Sequence, residues 1–211
     1  MFAIRENYKE FFQYYPTTVF IVLLCSLVSI VTFLFFDGYN EDAIIILGGL
    51  DKELINSGEI WRFLTYSFGH MSLFHLLLNI PILILLSRPL ERYFGSTPLF
   101  GIYILLSIAS GIFIYYFYVG VYPLAGSSGA GYGLLGIFTF FLIRYPNKIY
   151  SYDKRFILIF LAISFIFTLN VPDISISGHV GGLISGFVIG YIISIFKKDQ
   201  KEGSFYSSRN Y

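Results

Sequence analysis

Six apolar runs, each near the length of a bilayer crossing, constrain this chain more than anything else in it. They cover residues 17–36, 70–87, 98–119, 125–143, 156–171 and 174–196. A helix needs roughly 20 apolar residues to cross hydrocarbon. Hydrophobic residues make up 56% of the 211 and charged ones 13%, a balance that suits lipid better than water. The expected fold class is therefore all-α, a polytopic membrane protein with a bundle of six transmembrane helices over 17–196. Residues 1–16 precede it as a cytoplasmic segment and 197–211 follow as a cytoplasmic tail. A net charge of +1 gives no reason to expect a nucleic-acid partner. The single cysteine, Cys25, excludes an intrachain disulfide framework. The opening residues are charged and aromatic, so no cleavable leader is expected.

Basic residues orient the spans. Arg5, Lys9, Arg88, Arg92, Arg144, Lys148, Lys154, Arg155, Lys197, Lys198, Lys201 and Arg209 fall on one side of a six-span bundle, leaving only Lys52 and Arg62 of the 14 on the other. The positive-inside rule then puts both termini in the cytoplasm. The long first loop, 37–69, is non-cytoplasmic. Its stretch "ILGGLDKELINSGEIWRFL" interleaves apolar and charged residues, which predicts short amphipathic helices at the membrane surface.

Ionisable and amide side chains within the spans are few: His70, His75, Asn79 and His179, which include all three histidines. Polar groups in hydrocarbon are costly, so each is a candidate for function. Ser128 lies 16 residues before Arg144 and His179 lies 18 before Lys197. At 1.5 Å per residue they stand about 24 and about 27 Å above the cytoplasmic boundary, nearly level. His75 and Asn79 share a helix face, about 20 and about 14 Å up.

Glycines supply the means of approach. Gly178, Gly182, Gly186 and Gly190 recur at four-residue spacing, as do Gly129 and Gly133. Such ridges let two helices pack backbone to backbone. That approach could bring Ser128 within reach of His179. A serine hydroxyl becomes a nucleophile when an imidazole takes its proton. No carboxylate is available at this depth, so a Ser–His dyad is the economical reading. Oxyanion donors would come from a backbone N–H at the start of the fourth helix, with His75 and Asn79. Hydrolysis also needs a wet cavity open to the non-cytoplasmic side.

Blander readings stand beside this one. Glycine-rich membrane helices commonly do nothing but pack, and membrane serines commonly bond their own backbone. Three histidines also suit a proton-coupled transporter. A metal site is disfavoured, because no HxxxH or HExxH occurs and His70 and His75, at i and i+5, diverge on a helix. Ser127 competes with Ser128: one residue turns a helix by about 100°, so only one of them can face His179, and periodicity does not choose.

Four segments in order, "WRFLTYSFGHMSLFHLLLN", "LERYFG", "GSSG" and "GHVGGLISG", resemble the rhomboid intramembrane serine proteases. The resemblance covers about residues 48–196. It implies Ser128 as nucleophile and His179 as general base, with Gly182 and Gly186 following the base. It places oxyanion support on His75 and Asn79, adds His70 to the site, and stacks Tyr132 on the base. Gly126 and Gly129 flank the two serines. Trp61, Arg62 and Glu91 match structural positions. The fifth span takes part in substrate gating in relatives. The resemblance also implies transmembrane protein substrates, no metal, no organic cofactor and a minimal six-span form; a prokaryotic plasma membrane is expected because no transit peptide or sorting domain is seen. The sequence departs from the pattern at Ser127 and Gly178, where alanine is common, and lacks the glycine often found before "LE". The rivals are a rhomboid-like protein that binds membrane helices without cutting them and a small histidine-using transporter.

Overall fold

Pro16 opens the first long helix at the position where a missing backbone N–H costs nothing. A computed structural model describes residues 1–3, 6–36, 38–121, 123–171 and 174–196. The expected tail 197–211 and the turn at 172–173 lie outside the described residues. A short helix α1 (Tyr8–Tyr14), started by an Asn7–Glu10 capping box, precedes α2 (Pro16–Phe35). The first loop holds three short helices, α3 (Glu41–Ile46), α4 (Lys52–Asn56) and α5 (Arg62–Thr65). Then come α6 (Leu73–Phe94), α7 (Ser96–Phe117), α8 (Ser128–Arg144), α9 (Ser151–Asn170) and α10 (Ile176–Phe196). Among the described residues no strand occurs, and the one β-bridge joins Leu50 to Leu124.

Helices α2, α6, α7 and α10 are long and apolar enough to cross a membrane by length and composition. The 17 residues of α8 make a rod about 26 Å long. The first turns of α9 carry Asp153, Lys154 and Arg155, which lowers its apolar character. Large apolar side chains such as Leu23, Leu27, Ile159, Ile163 and Val188 point outward. An apolar exterior of this extent belongs in lipid.

Helix α8 is the axis of the bundle, with 11 of its 17 residues buried. Glycine brings α10 against it. A Cβ at Gly182 would collide with the carbonyl oxygen of Gly129, and one at Gly186 with that of Gly133. The outer members of the ridge meet side chains instead: Gly178 faces Ile114 of α7, and Gly190 faces Phe140 of α8. By contrast α9 is peripheral; only Asp153, Ile157 and Thr168 of its 20 residues are buried.

Several boundaries differ from the hydropathy reading. The second run begins at 70, but α6 starts at Leu73 because Ser72 caps it, accepting from the His75 N–H at 3.0 Å. His70 thus lies ahead of the helix. The expectation that His70 and His75 diverge on one helix is corrected: their rings meet edge to face, centroids 5.1 Å apart. At its other end α6 continues past 87 to Phe94, through buried Arg88 and Glu91. Loss of apolar character there does not mark the end of the helix. Likewise α8 starts at Ser128 rather than 125, and α9 at Ser151 rather than 156.

The charges in that continuation have partners. Glu91 accepts from the N–H groups of Thr17 and Thr18, both at 2.8 Å, and from the Thr18 hydroxyl at 2.7 Å. It caps the start of α2, which has no side-chain cap of its own. Arg88 donates to the carbonyls of Phe2 and Ala3 at 2.9 and 3.1 Å and pairs with Glu6 at 3.3 Å.

Candidate active site

The segment before α8 is held by the first loop, one hydrogen bond at a time. Leu50 and Leu124 exchange backbone bonds of 2.7 and 2.9 Å, and the Gly126 N–H donates to the Tyr66 carbonyl at 3.0 Å. The loop is itself pinned by Arg62, which donates to the carbonyls of Ile45 and Gly49 at 2.9 and 2.7 Å and pairs with Glu59 at 2.6 Å. Trp61, beside it, turns outward and is 55% exposed.

Ser127 and Ser128 end up on different neighbours. The Ser127 hydroxyl meets His70 Nε2 at 3.1 Å, and His70 Nδ1 meets the Ser29 hydroxyl of α2 at 3.1 Å. All three of these residues are fully buried. Ser128 Oγ lies 2.8 Å from His179 Nε2, and Ser128 is half-buried. The other ring nitrogen, His179 Nδ1, lies 2.8 Å from Thr168 Oγ1 of α9. Tyr132 stacks on the His179 ring with centroids 4.0 Å apart and planes inclined by 12°. Its hydroxyl contacts the Ser164 carbonyl and Thr168 Oγ1.

Ser127 occupies the N-cap position of α8, where a serine usually caps the helix, yet it makes no cap bond there. Its hydroxyl is diverted to His70. The Gly129 and Ala130 amides therefore receive no bond from it, and the start of α8 keeps the positive end of the helix dipole. Amides at the start of a helix are the kind of donor that an oxyanion requires.

His75 and Asn79 border the same region. The His75 ring packs on Gly126, where a Cβ would come within 2.7 Å of His75 Cε1. Asn79 Nδ2 donates to the His75 carbonyl at 2.8 Å, one turn back. Asn79, Ser128 and Tyr132 line a small cleft between α6, α8 and α9, together with Leu86, Leu135 and Phe160. Gly129 lets α7 close in: a Cβ there would strike the Ser110 hydroxyl, which donates to the Gly178 carbonyl at 2.8 Å. Glu91 stands apart from the site, at the other end of α6. Among the described residues no group of three or more His, Cys, Asp or Glu side chains lies together as a metal cluster.

Comparison with known proteins gives the lineage. Residues 57–196 match the family profile of the rhomboid domain. The chain belongs to the rhomboid family. This rhomboid is an integral membrane protein, as its family and its apolar helices require. It is 33% identical over 150 residues to Rhomboid protease GluP of Bacillus subtilis (strain 168), covering 70% of this chain and 29% of that protein. It is 28% identical over 188 residues to Rhomboid protease GlpG of Haemophilus influenzae, covering 88% of this chain and 94% of that one. It is also 34% identical over 145 residues to Inactive RHOMBOID-like protein 8 of Arabidopsis thaliana, covering 66% of this chain and 40% of that one.

Sequence reasoning missed two partners in this rhomboid, Ser29 and Thr168, each of which touches a histidine. Their signal was faint: a small hydroxyl inside a long apolar run. The tie from Leu50 to Leu124 had no signal, because backbone atoms make it.

Proposed function

We propose that this rhomboid is an intramembrane serine endopeptidase in which Ser128 is the nucleophile and His179 the general base. The observation that carries the reading is the 2.8 Å contact of Ser128 Oγ with His179 Nε2 in a cleft-lining position. Proteolytic names among the relatives support the class of reaction.

Ser128 Oγ attacks the scissile carbonyl as its proton passes to His179 Nε2. The carbonyl oxygen gains charge, and the first-turn amides of α8 stabilise it with Asn79 and His75. His179 then gives the proton to the leaving amine, and an acyl-enzyme remains on Ser128. Water, deprotonated by His179, releases the second product. The substrate is a transmembrane segment of another protein, cut near its non-cytoplasmic end. A helix hides its carbonyls, so the substrate must unwind locally, and helix-weakening residues favour cleavage. Both termini face the cytoplasm by the charge distribution, and a prokaryotic plasma membrane is the proposed location.

A second reading is a binding-only rhomboid, since one relative bears the word inactive in its name. Purified protein in liposomes, given a transmembrane substrate tagged at both ends, separates the two. Two fragments from the wild type and none from Ser128→Ala support the protease. No fragments from the wild type, together with no labelling by a serine-reactive fluorophosphonate, favour binding alone. Activity that persists in Ser128→Ala removes this serine from the role.

A further inference from the structure

We propose that Thr168 is a positioning residue for His179, so that α9 completes a relay Thr168–His179–Ser128. The inference rests on the reading of Ser128 and His179 as nucleophile and base. His179 can accept the serine proton only on a ring nitrogen that carries none, so the resting hydrogen must sit on Nδ1. Nδ1 faces Thr168 Oγ1 at 2.8 Å. The Thr168 hydroxyl has its own acceptor, the Ser164 carbonyl one turn back at 2.8 Å. With its hydrogen committed there, Thr168 turns lone pairs toward Nδ1–H and toward the Tyr132 hydroxyl. The reverse arrangement, with Thr168 donating to Nδ1, gives up the bond to Ser164. It also puts the hydrogen on Nε2, facing Ser128, where no proton can be taken.

Burial makes the contact decisive. Thr168 is 4% exposed and His179 5%, so water does not replace a lost partner. Tyr132 holds the pair from the side, its ring stacked on the imidazole and its hydroxyl against Thr168. A carboxylate would orient the ring more strongly, but it would place a second charge at membrane depth. A neutral hydroxyl fixes the tautomer without that cost.

Location gives the contact its consequence. Thr168 is the one buried side chain in the outer half of α9 among the described residues; Asp153 and Ile157 lie toward the opposite end. Displacing that half of α9 breaks the bond to Nδ1. Docking of α9 and competence of the base are therefore one event.

The test compares wild type, Thr168→Val, Thr168→Ala and Thr168→Ser in liposomes. Two rates are measured: cleavage of a tagged transmembrane substrate and labelling by a small fluorophosphonate, which needs the base but no helix passing α9. The Val and Ala variants should lose about 10- to 100-fold in kcat and in labelling rate together, the worth of one hydrogen bond to a developing charge. KM should stay within a factor of about 3, and Ser should restore both rates to within a similar factor. Wild-type labelling by the Val variant overturns the proposal. So does a loss of cleavage confined to KM with labelling intact, which would make Thr168 a packing residue of α9. If Val does not fold, the Ala and Ser pair carries the same comparison. Labelling of wild type that persists in Ser128→Ala would instead sink the nucleophile reading and this proposal with it.

Discussion

Ser127 and Ser128 are neighbours in the chain, yet each hydroxyl meets a different histidine: Ser127 meets His70 at 3.1 Å and Ser128 meets His179 at 2.8 Å. Each imidazole is held on its far side by a second hydroxyl, Ser29 in one case and Thr168 in the other. The two chains of contacts are chemically alike. Access distinguishes them, because Ser127 is fully buried and Ser128 lines the cleft.

Fluorophosphonate should accordingly modify Ser128 and leave Ser127 untouched, as peptide mapping of the labelled protein will show. Ser127→Ala should still be labelled. Its penalty is stability: His70 Nε2 loses its partner in a dry site, at a cost of about 1–3 kcal/mol. A lower thermal unfolding midpoint in detergent is the readout.

Asn79→Ala should lower kcat with little change in KM. The asparagine borders the cleft, and its stabilisation would be felt as charge develops on the carbonyl oxygen. Loss of one such donor typically costs about 10²–10³-fold. A fall seen mainly in KM would assign Asn79 to substrate binding instead.

The glycine ridge allows a paired comparison. Gly186→Ala drives a Cβ into the Gly133 carbonyl, so α8 and α10 must separate. Destabilisation of about 1–3 kcal/mol and loss of cleavage should appear together. Gly101→Ala, in α7, meets nothing within 4 Å. That change should leave activity intact and alter stability by about 1 kcal/mol or less.

Glu91 acts as a cap supplied by one helix to another. Glu91→Ala strands the Thr17 and Thr18 amides, and should cost about 0.5–2 kcal/mol. Glu91→Gln keeps an acceptor and should lose less. Measured kcat should be the same in both once protein is folded, since the residue is remote from Ser128.

Arg62→Lys keeps the charge but loses the fork that reaches two carbonyls and Glu59 together. Hydrogen–deuterium exchange should rise first at residues 45–50. It should then rise at 124–126, which those residues hold through the Leu50–Leu124 bridge. Unchanged exchange at 124–126 would separate the two segments mechanically.

Much of this was legible in the sequence because glycine spacing is a geometric statement. Four-residue intervals in the sixth run implied a close helix pair, and the structure shows Gly182 and Gly186 on the backbone of α8. The nearly level placing of Ser128 and His179 followed from counting residues to the basic boundary. The role of Ser127 was not legible, because the start of α8 depends on tertiary bonds that draw its hydroxyl away from the cap. Thr168 escaped notice for a related reason. A threonine in an apolar helix usually bonds back to its own carbonyl ladder; this one does so and still has lone pairs to offer. Hydropathy also cannot see a helix continue past its apolar run, as α6 does to Phe94.

The pairing of α8 with α10 also orders events in time. Synthesis proceeds from the amino terminus, and 51 residues separate Ser128 from His179. A nascent chain thus contains Ser128 before His179 has been made. Through that interval the Ser128 hydroxyl lacks its His179 partner. The contact between the two side chains forms only once the helix that brings His179 has been made.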